Sequence, residues 1–197
     1  RLRQLAGRGG FAFERLDLAD PDATARLFRD GGFDGVVHLA AQPGVRYSLV
    51  NPTAYLRANV DAFGCVLEGC RHARVRHLVY ASSSSVYGDL VAMPMREDAL
   101  PQPVSPYGVS KLAAEQLCYL YYANHRVPTT SVRYFTVYGP RQRPDMAFHK
   151  FMRAALRGEA ITLYGDGEQT RDFTFVTDAV AATVAAATAR PMRLLRA

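Results

Sequence analysis

Strands alternating with helices at short, regular intervals predict an α/β chain built on a doubly wound parallel sheet. Two further observations support that fold class. Gly35–Ala40 and Leu78–Ala81 are short and almost wholly apolar, as parallel strands covered on both faces are. Pro21, Pro52 and Pro106 each open a helical run, with Asp20 and Ser105 standing ready as caps. At 197 residues the chain fits one domain large enough to bury a core.

The elements follow in order. Gly7-Arg8-Gly9-Gly10 precedes a strand predicted over Phe11–Leu16. A dinucleotide-binding glycine loop follows a strand and opens a helix, so this cluster reads as a turn. A short helix runs from Pro21 to about Arg29, then the strand Gly35–Ala40, then a polar loop over Gln42–Asn51. Pro52 opens a helix lasting to about Ala73. The strand Leu78–Ala81 runs into four serines, Ser82 to Ser85, and Val86–Gln102 reads as a long loop. The helix from Pro106 reaches about His125, and Pro128 leads into a strand over Thr130–Phe135.

Beyond Pro140 the pattern changes. It predicts a helix over Met146–Leu156, a strand over Ile161–Tyr164 and a turn at Gly165-Asp166-Gly167. A strand over Arg171–Phe175 and an alanine-rich helix over Asp178–Ala189 follow. There is no internal repeat or linker. The expected division is residues 1–139 and 140–197.

Composition narrows the partners. The formal charge is +6 with a pI near 9.4, and Lys111 and Lys150 are the only lysines, so arginine supplies the excess. That sign suits an acidic partner, but the arginines are scattered rather than striped, which argues against nucleic acid. Cys65, Cys70 and Cys118 are odd in number and lack metal-ligand spacing, so they read as reduced thiols of a cytoplasmic protein, and no metal is expected. The five histidines have no ligand spacing either. No apolar run reaches membrane-spanning length and no signal peptide opens the chain.

Tyr107 and Lys111 are four residues apart, so on a helix they share a face one turn apart. A phenol near pKa 10 is a poor base at neutral pH, and a neighbouring ammonium stabilises its phenolate. A serine hydroxyl from another segment can bond both the phenol and a substrate hydroxyl. On its own the tyrosine–lysine spacing fits an ordinary helix equally well. The serine run at the carboxyl end of a buried strand changes the balance, because ligands bind at that edge of an α/β sheet.

Read together, Leu78-Val79-Tyr80-Ala81-Ser82-Ser83-Ser84-Ser85-Val86-Tyr87-Gly88 and Ser105-Pro106-Tyr107-Gly108-Val109-Ser110-Lys111 resemble the extended short-chain dehydrogenase/reductase family, and within it the nucleotide-sugar epimerases. The resemblance spans about Phe11 to Ala189. It implies a Rossmann-like sheet that binds NAD over residues 1–139 and part of a small substrate region over 140–197. It implies that Tyr107 is the catalytic base, that Lys111 lowers the tyrosine pKa and binds the nicotinamide ribose, and that Ser83 bridges phenol and sugar. Asp17 and Leu18 would contact the adenine; Leu39, Ala40 and Ala41 would let the cofactor lie close to the backbone. Asn59 and Tyr134 would complete the cofactor site.

The same resemblance assigns Ser84, Ser85, Thr136, Arg143 and Arg171 to a UDP-sugar. Sugar dehydratases usually carry Asp-Glu after the catalytic hydroxyl, to eliminate water. Ser84 and Ser85 stand there instead. Gly44-Val45-Arg46-Tyr47-Ser48 and Thr136-Val137-Tyr138-Gly139-Pro140 are similar to segments of UDP-glucuronate 4-epimerases. The expected activity is therefore epimerisation at C4 through a 4-keto sugar, with UDP-glucuronate favoured over UDP-glucose or UDP-N-acetylglucosamine. A non-catalytic dinucleotide-binding protein is the other class this fold supports. Family members begin with a strand and a glycine-rich loop before anything matching Phe11, so the chain is expected to be a truncated piece of a homodimer that pairs through the helices Pro52–Ala73 and Pro106–His125.

Overall fold

Asp20 does cap the first long helix: its Oδ1 accepts from the backbone N–H groups of Asp22 and Ala23, both at 3.0 Å. In the computed structural model, which describes residues 2–5, 7–89, 92–163, 165–168 and 170–189, that helix is α1 (Pro21–Gly31). It is followed by β1 (Gly35–His38), α2 (Val45–Val50), α3 (Pro52–Leu56), α4 (Ala62–Ala73), β2 (His77–Ser83) and α5 (Pro106–His125). Then come β3 (Thr129–Tyr134), β4 (Thr136–Tyr138), α6 (Ala147–Arg157), β5 (Phe173–Phe175) and α7 (Val176–Thr188).

The strands β1, β2 and β3 form a parallel sheet in that order, with β2 central. Parallel neighbours need crossovers, and α4 and α5 supply them. Leu78 and Tyr80 on one face of β2 meet Phe63, Val66, Leu67 and Cys70 of α4, Ala114 and Cys118 of α5, and Phe28 of α1. Val79 alternates to the other face, where α7 packs on β2 and touches β1 and β3. Both faces of β2 are thus covered, as an apolar central strand requires, while Val37 of β1 stays exposed. β4 leaves the end of β3 to pair in parallel with β5, making a second, two-stranded sheet.

Several elements differ from expectation, each for a local reason. Phe11–Leu16 is irregular and pairs with no strand among the described residues, leaving Phe11 and Phe13 exposed. Strand propensity alone does not make a strand; a neighbour must take its backbone bonds. The turn at Arg8–Gly10 is present, closed by Phe11 N–H to Arg8 C=O at 3.3 Å. The loop expected over Gln42–Asn51 contains α2. Gly44, at φ 106°, turns the chain into it, and the Ser48 hydroxyl donates to Val45 C=O at 2.6 Å.

The helix expected over Pro52–Ala73 is continuous but contains a widened π turn at Arg57–Asp61. β2 extends two residues further than predicted, to Ser83, and Ser84–Val86 form a 3-10 turn. The strand expected over Thr130–Phe135 is β3, which ends at Tyr134, and β4 begins beyond it at Thr136. Ile161–Leu163 is irregular rather than a strand, while Tyr164, Gln169 and Pro191–Ala197 lie outside the described residues. No helix among the described residues is long and apolar enough to cross a membrane.

Phe63 is fully buried between α4 and the sheet. Phe63→Ala is expected to destabilise the fold by about 3–5 kcal/mol, read as a lower denaturation midpoint at unchanged slope in urea.

Candidate active site

Ser105 fixes the start of α5. Its hydroxyl accepts from Gly108 N–H at 3.1 Å, and Pro106 fills the first position, where a missing N–H costs nothing. Gly108 then has to be small: a Cβ there would lie 2.5 Å from Ser85 C=O and 2.9 Å from Pro103 Cβ. The first turn of α5 therefore sits directly on the chain leaving β2. This brings Tyr107 to the serines.

Lys111 lies one turn on and is 4% exposed, with Nζ donating to Ala81 C=O at 2.8 Å. The ammonium also stands 5.0 Å over the Tyr80 ring and 6.0 Å from the Tyr107 ring centroid. Burial lowers its pKa to about 8. Ser83 is buried at the end of β2 and opposite Tyr134 of β3. Its Oγ donates to Ser85 Oγ and accepts from Ser85 N–H, both at 3.2 Å. Tyr107 has its pKa raised by burial first, against which a hydrogen bond to Ser83 and the charge of Arg143 pull it down, while Tyr55 pushes it up. The charge that lowers it belongs to Arg143, while the Lys111 ammonium, near the same ring, is turned to the Ala81 carbonyl.

Asn59 sits in the π turn and is buried. Its Oδ1 accepts from Gln42 N–H at 2.7 Å, while Nδ2 donates to Gln42 C=O at 3.1 Å and to Ser110 Oγ at 2.9 Å. Ser110 in turn donates to Tyr107 C=O at 2.8 Å. A chain of bonds thus joins the segment after β1 to the first turn of α5. Leu39 and Ala40 are exposed at the end of β1, with Ala41 half-buried beside them. His38, beneath them, stacks on Tyr80 and lies tilted against Phe63, and burial, aided by the Lys111 charge, lowers its pKa to about 4.

The remaining predicted residues are more dispersed. The Asp17 carboxylate accepts from Ala19 N–H at 3.0 Å and pairs with Arg57 at 3.0 Å; Leu18 packs against the core. The Tyr134 hydroxyl bonds Thr183 of α7. Thr136 opens β4, its N–H donating to Asp172 C=O at 3.2 Å. Arg143 pairs with Asp145 at 3.2 Å and contacts Met146 Sδ. Arg171 is exposed and lines a cavity of about 740 Å³ with Arg46, Lys150 and Arg153, which Asp145 and Glu159 only partly balance. Lys150 and Arg153 escaped the sequence reading, although their i, i+3 spacing on a helix puts two cations on one face. Ser82, Glu115 and Arg133 were also missed; the clue was Glu115, one turn beyond Lys111. No cluster of possible metal ligands occurs among the described residues.

A half-buried phenol beside a serine hydroxyl, with an ammonium 6.0 Å from its ring, can pass a proton to or from an alcohol held against it. The family model of the NAD dependent epimerase/dehydratase family matches residues 1–193. The chain belongs to that family. It is 44% identical over 182 residues to an uncharacterized 37.6 kDa protein from the cld 5' region of Escherichia coli O111:H-, covering 92% of this chain and 54% of that one. A solved structure of UDP-glucuronic acid 4-epimerase from Bacillus cereus, in complex with UDP-glucuronic acid and NAD, is similar with a TM-score of 0.90 and 42% identity. That match covers 97% of this chain and 60% of the other. MoeE5, solved with UDP-glucose and NAD, is similar at a TM-score of 0.82 and 47% identity, covering 90% of this chain and 58% of that one. The chain spans about half the length of the curated relatives it matches.

The buried ammonium gives a pH signature. Lys111 binds its proton less tightly folded, near 8, than unfolded, near 10.5, so between those values the unfolded chain holds more protons and stability rises with pH. Lys111→Met is therefore expected to be more stable than the parent at pH 7, by about 2 kcal/mol once the lost Ala81 bond is allowed for. The advantage should shrink as pH rises from 8 towards 10.5, as followed by urea unfolding at each pH.

Proposed function

We propose that the protein containing this chain is an NAD-dependent nucleotide-sugar 4-epimerase acting on UDP-glucuronate. The observation that carries this reading is the grouping of Ser83, Tyr107 and Lys111 at the carboxyl end of the central strand, in a chain 42% identical to the Bacillus cereus UDP-glucuronic acid 4-epimerase. The residues suit the cofactor: Lys111 has three N–H donors, of which Ala81 takes one, and small Ala40 and Ala41 stand at the end of β1. When bound, NAD would accept a hydride from the sugar C4 and return it. Lys111 would then bind the nicotinamide ribose, with Tyr134, Leu39, Ala40, Ala41 and Asn59 framing that side and Asp17 and Leu18 the adenine.

In this reading Tyr107 takes the proton from the sugar 4-hydroxyl, and Ser83 bonds that oxygen and the phenol together. The 4-keto sugar turns over, so that the hydride would return to the opposite face of C4 while Tyr107 gives the proton back to the oxygen. Ser84, Ser85 and Thr136 hold the sugar carboxylate through neutral hydroxyls, and Arg143 limits how the ketone moves. Arg171 joins Arg46, Lys150 and Arg153 around the cavity suited to a diphosphate, since guanidinium forks match phosphate oxygens. Residues 1–139 serve the cofactor and the proton, and 140–197 the substrate. Exposed Leu56, Tyr119 and Leu120 support pairing of two copies through the α3–α5 face. The free thiols of buried Cys70 and Cys118 agree with a reducing, cytoplasmic setting.

Two measurements on the full-length protein test this. Tyr107→Phe should lower kcat by at least about 100-fold while bound NAD persists; a loss smaller than about tenfold would remove Tyr107 from its role. In a comparison of UDP-glucuronate, UDP-glucose and UDP-N-acetylglucosamine, the highest kcat/KM is expected for UDP-glucuronate. A neutral sugar ranking first would overturn the substrate but leave the epimerase. A protein that binds NAD and turns over none of the three would be the non-catalytic alternative.

A further inference from the structure

Glu115 lies on α5 one turn beyond Lys111 and two beyond Tyr107, on the same face. Its carboxylate accepts from three groups on two strands. Ser82 of β2 donates to Oε1. Arg133 of β3 donates through Nε at 3.0 Å to Oε1 and through Nη2 at 2.8 Å to Oε2. The pair is largely shielded, with side-chain exposures of 10% for Glu115 and 19% for Arg133. Arg133 also donates to Glu97 C=O at 3.2 Å and lies over the Tyr87 ring at 4.8 Å.

The location matters more than the strength. Ser82 and Arg133 are direct partners in the β2–β3 register, and the next pair is Ser83 with Tyr134. Lys111 binds the carbonyl of Ala81. Two successive residues of β2 are therefore fastened to two successive turns of α5, immediately before the strand delivers Ser83 to Tyr107. A bidentate arginine–carboxylate pair sets direction as well as distance. Arg133 extends the hold to the loop after β2, whose residue Pro103 bears on Gly108. Neither Glu115 nor Arg133 is among the groups assigned to substrate or cofactor.

We propose that Glu115 and Arg133 are positioning residues, which hold the end of β2 against α5 so that Ser83 stays in hydrogen-bonding register with Tyr107. Loss of the carboxylate lets β2 slide relative to the helix. Ser83 then moves away from Tyr107, and the phenol loses a neighbour that favours its ionised form. Breaking the shielded pair also destabilises the fold, so stability alone does not distinguish positioning from packing.

The test uses Glu115→Gln and Arg133→Lys in the full-length protein, with two readouts. The first is the split between kcat and KM, a readout that rests on the epimerase reading. The second, independent of turnover, is the ionisation of Tyr107, taken as the ultraviolet titration difference between each protein and its Tyr107→Phe partner. Glu115→Gln is expected to lower kcat by about 10- to 100-fold with KM within about threefold, and to move the Tyr107 titration to higher pH. Arg133→Lys, which keeps the charge but not the fork, should show a smaller change in both. A folded Glu115→Gln protein with an unmoved Tyr107 titration would overturn the proposal whatever its kcat. If the parent itself turns over no UDP-sugar, the function falls and the titration alone decides the positioning role. Should Glu115→Gln not fold, Ser82→Ala, which removes only the hydroxyl, carries the same two readouts.

Discussion

The close approach of α5 to the end of β2 is the constraint on which the site depends. It is set at three levels along one helix face. At the first turn Gly108 leaves room for the Ser85 carbonyl; one turn on, Lys111 binds Ala81; and a further turn on, Glu115 binds Ser82. Two of these contacts are to neighbouring residues of β2, and the third is to the turn that follows the strand. A helix bonded at a single level can pivot, whereas three levels leave it little freedom. Proton transfer between groups that must meet within hydrogen-bond reach needs that rigidity.

The same closeness creates an electrostatic tension. Removing Lys111 from water disfavours its charge, and removing Tyr107 from water disfavours its phenolate. Burial thus drives the two groups apart from nearly equal ordinary values, the lysine downward and the tyrosine upward. Arg143, reaching in from the segment before α6, supplies part of the positive potential the phenol lacks. An ammonium held on a backbone carbonyl and over the Tyr80 ring retains donors that a polar ligand can take up. The readiness of the phenol to ionise therefore depends on residues from three separate stretches of chain.

Much of this was legible in the residues. Proline behind a capping side chain placed the starts of α1 and α5, because such caps are local chemistry. The apolar runs located β1 and β2, and spacing alone put Tyr107 and Lys111 on one face. Family resemblance named Ser83, which lies beside that helix. What sequence could not display was where each polar group spends its bonds. Asn59 was expected at the cofactor, yet its amide is engaged by Gln42 and Ser110. The Tyr134 hydroxyl is held by Thr183, a residue 49 positions away. The Glu115–Arg133 pair spans 18 positions and two element types, beyond the reach of any local pattern. Phe11–Leu16 failed for the complementary reason: its composition suits a strand, but pairing is a property of the neighbour.

The π turn at Arg57–Asp61 has a consequence for the phase of the helices on either side. One additional residue in a helical turn rotates everything before it by about 100° relative to everything after it. On the α3 side this rotation lets Tyr55 reach the carbonyls of Pro43 and Gly44, at 2.9 and 2.7 Å. On the α4 side, Phe63, Val66, Leu67 and Cys70 face the core. A perfectly regular helix would satisfy one of those orientations and swing the other into solvent. Residue number between Asn51 and Phe63 is thus a geometric quantity in its own right: a single deletion there would leave composition almost untouched while uncoupling the loop after β1 from the sheet it flanks.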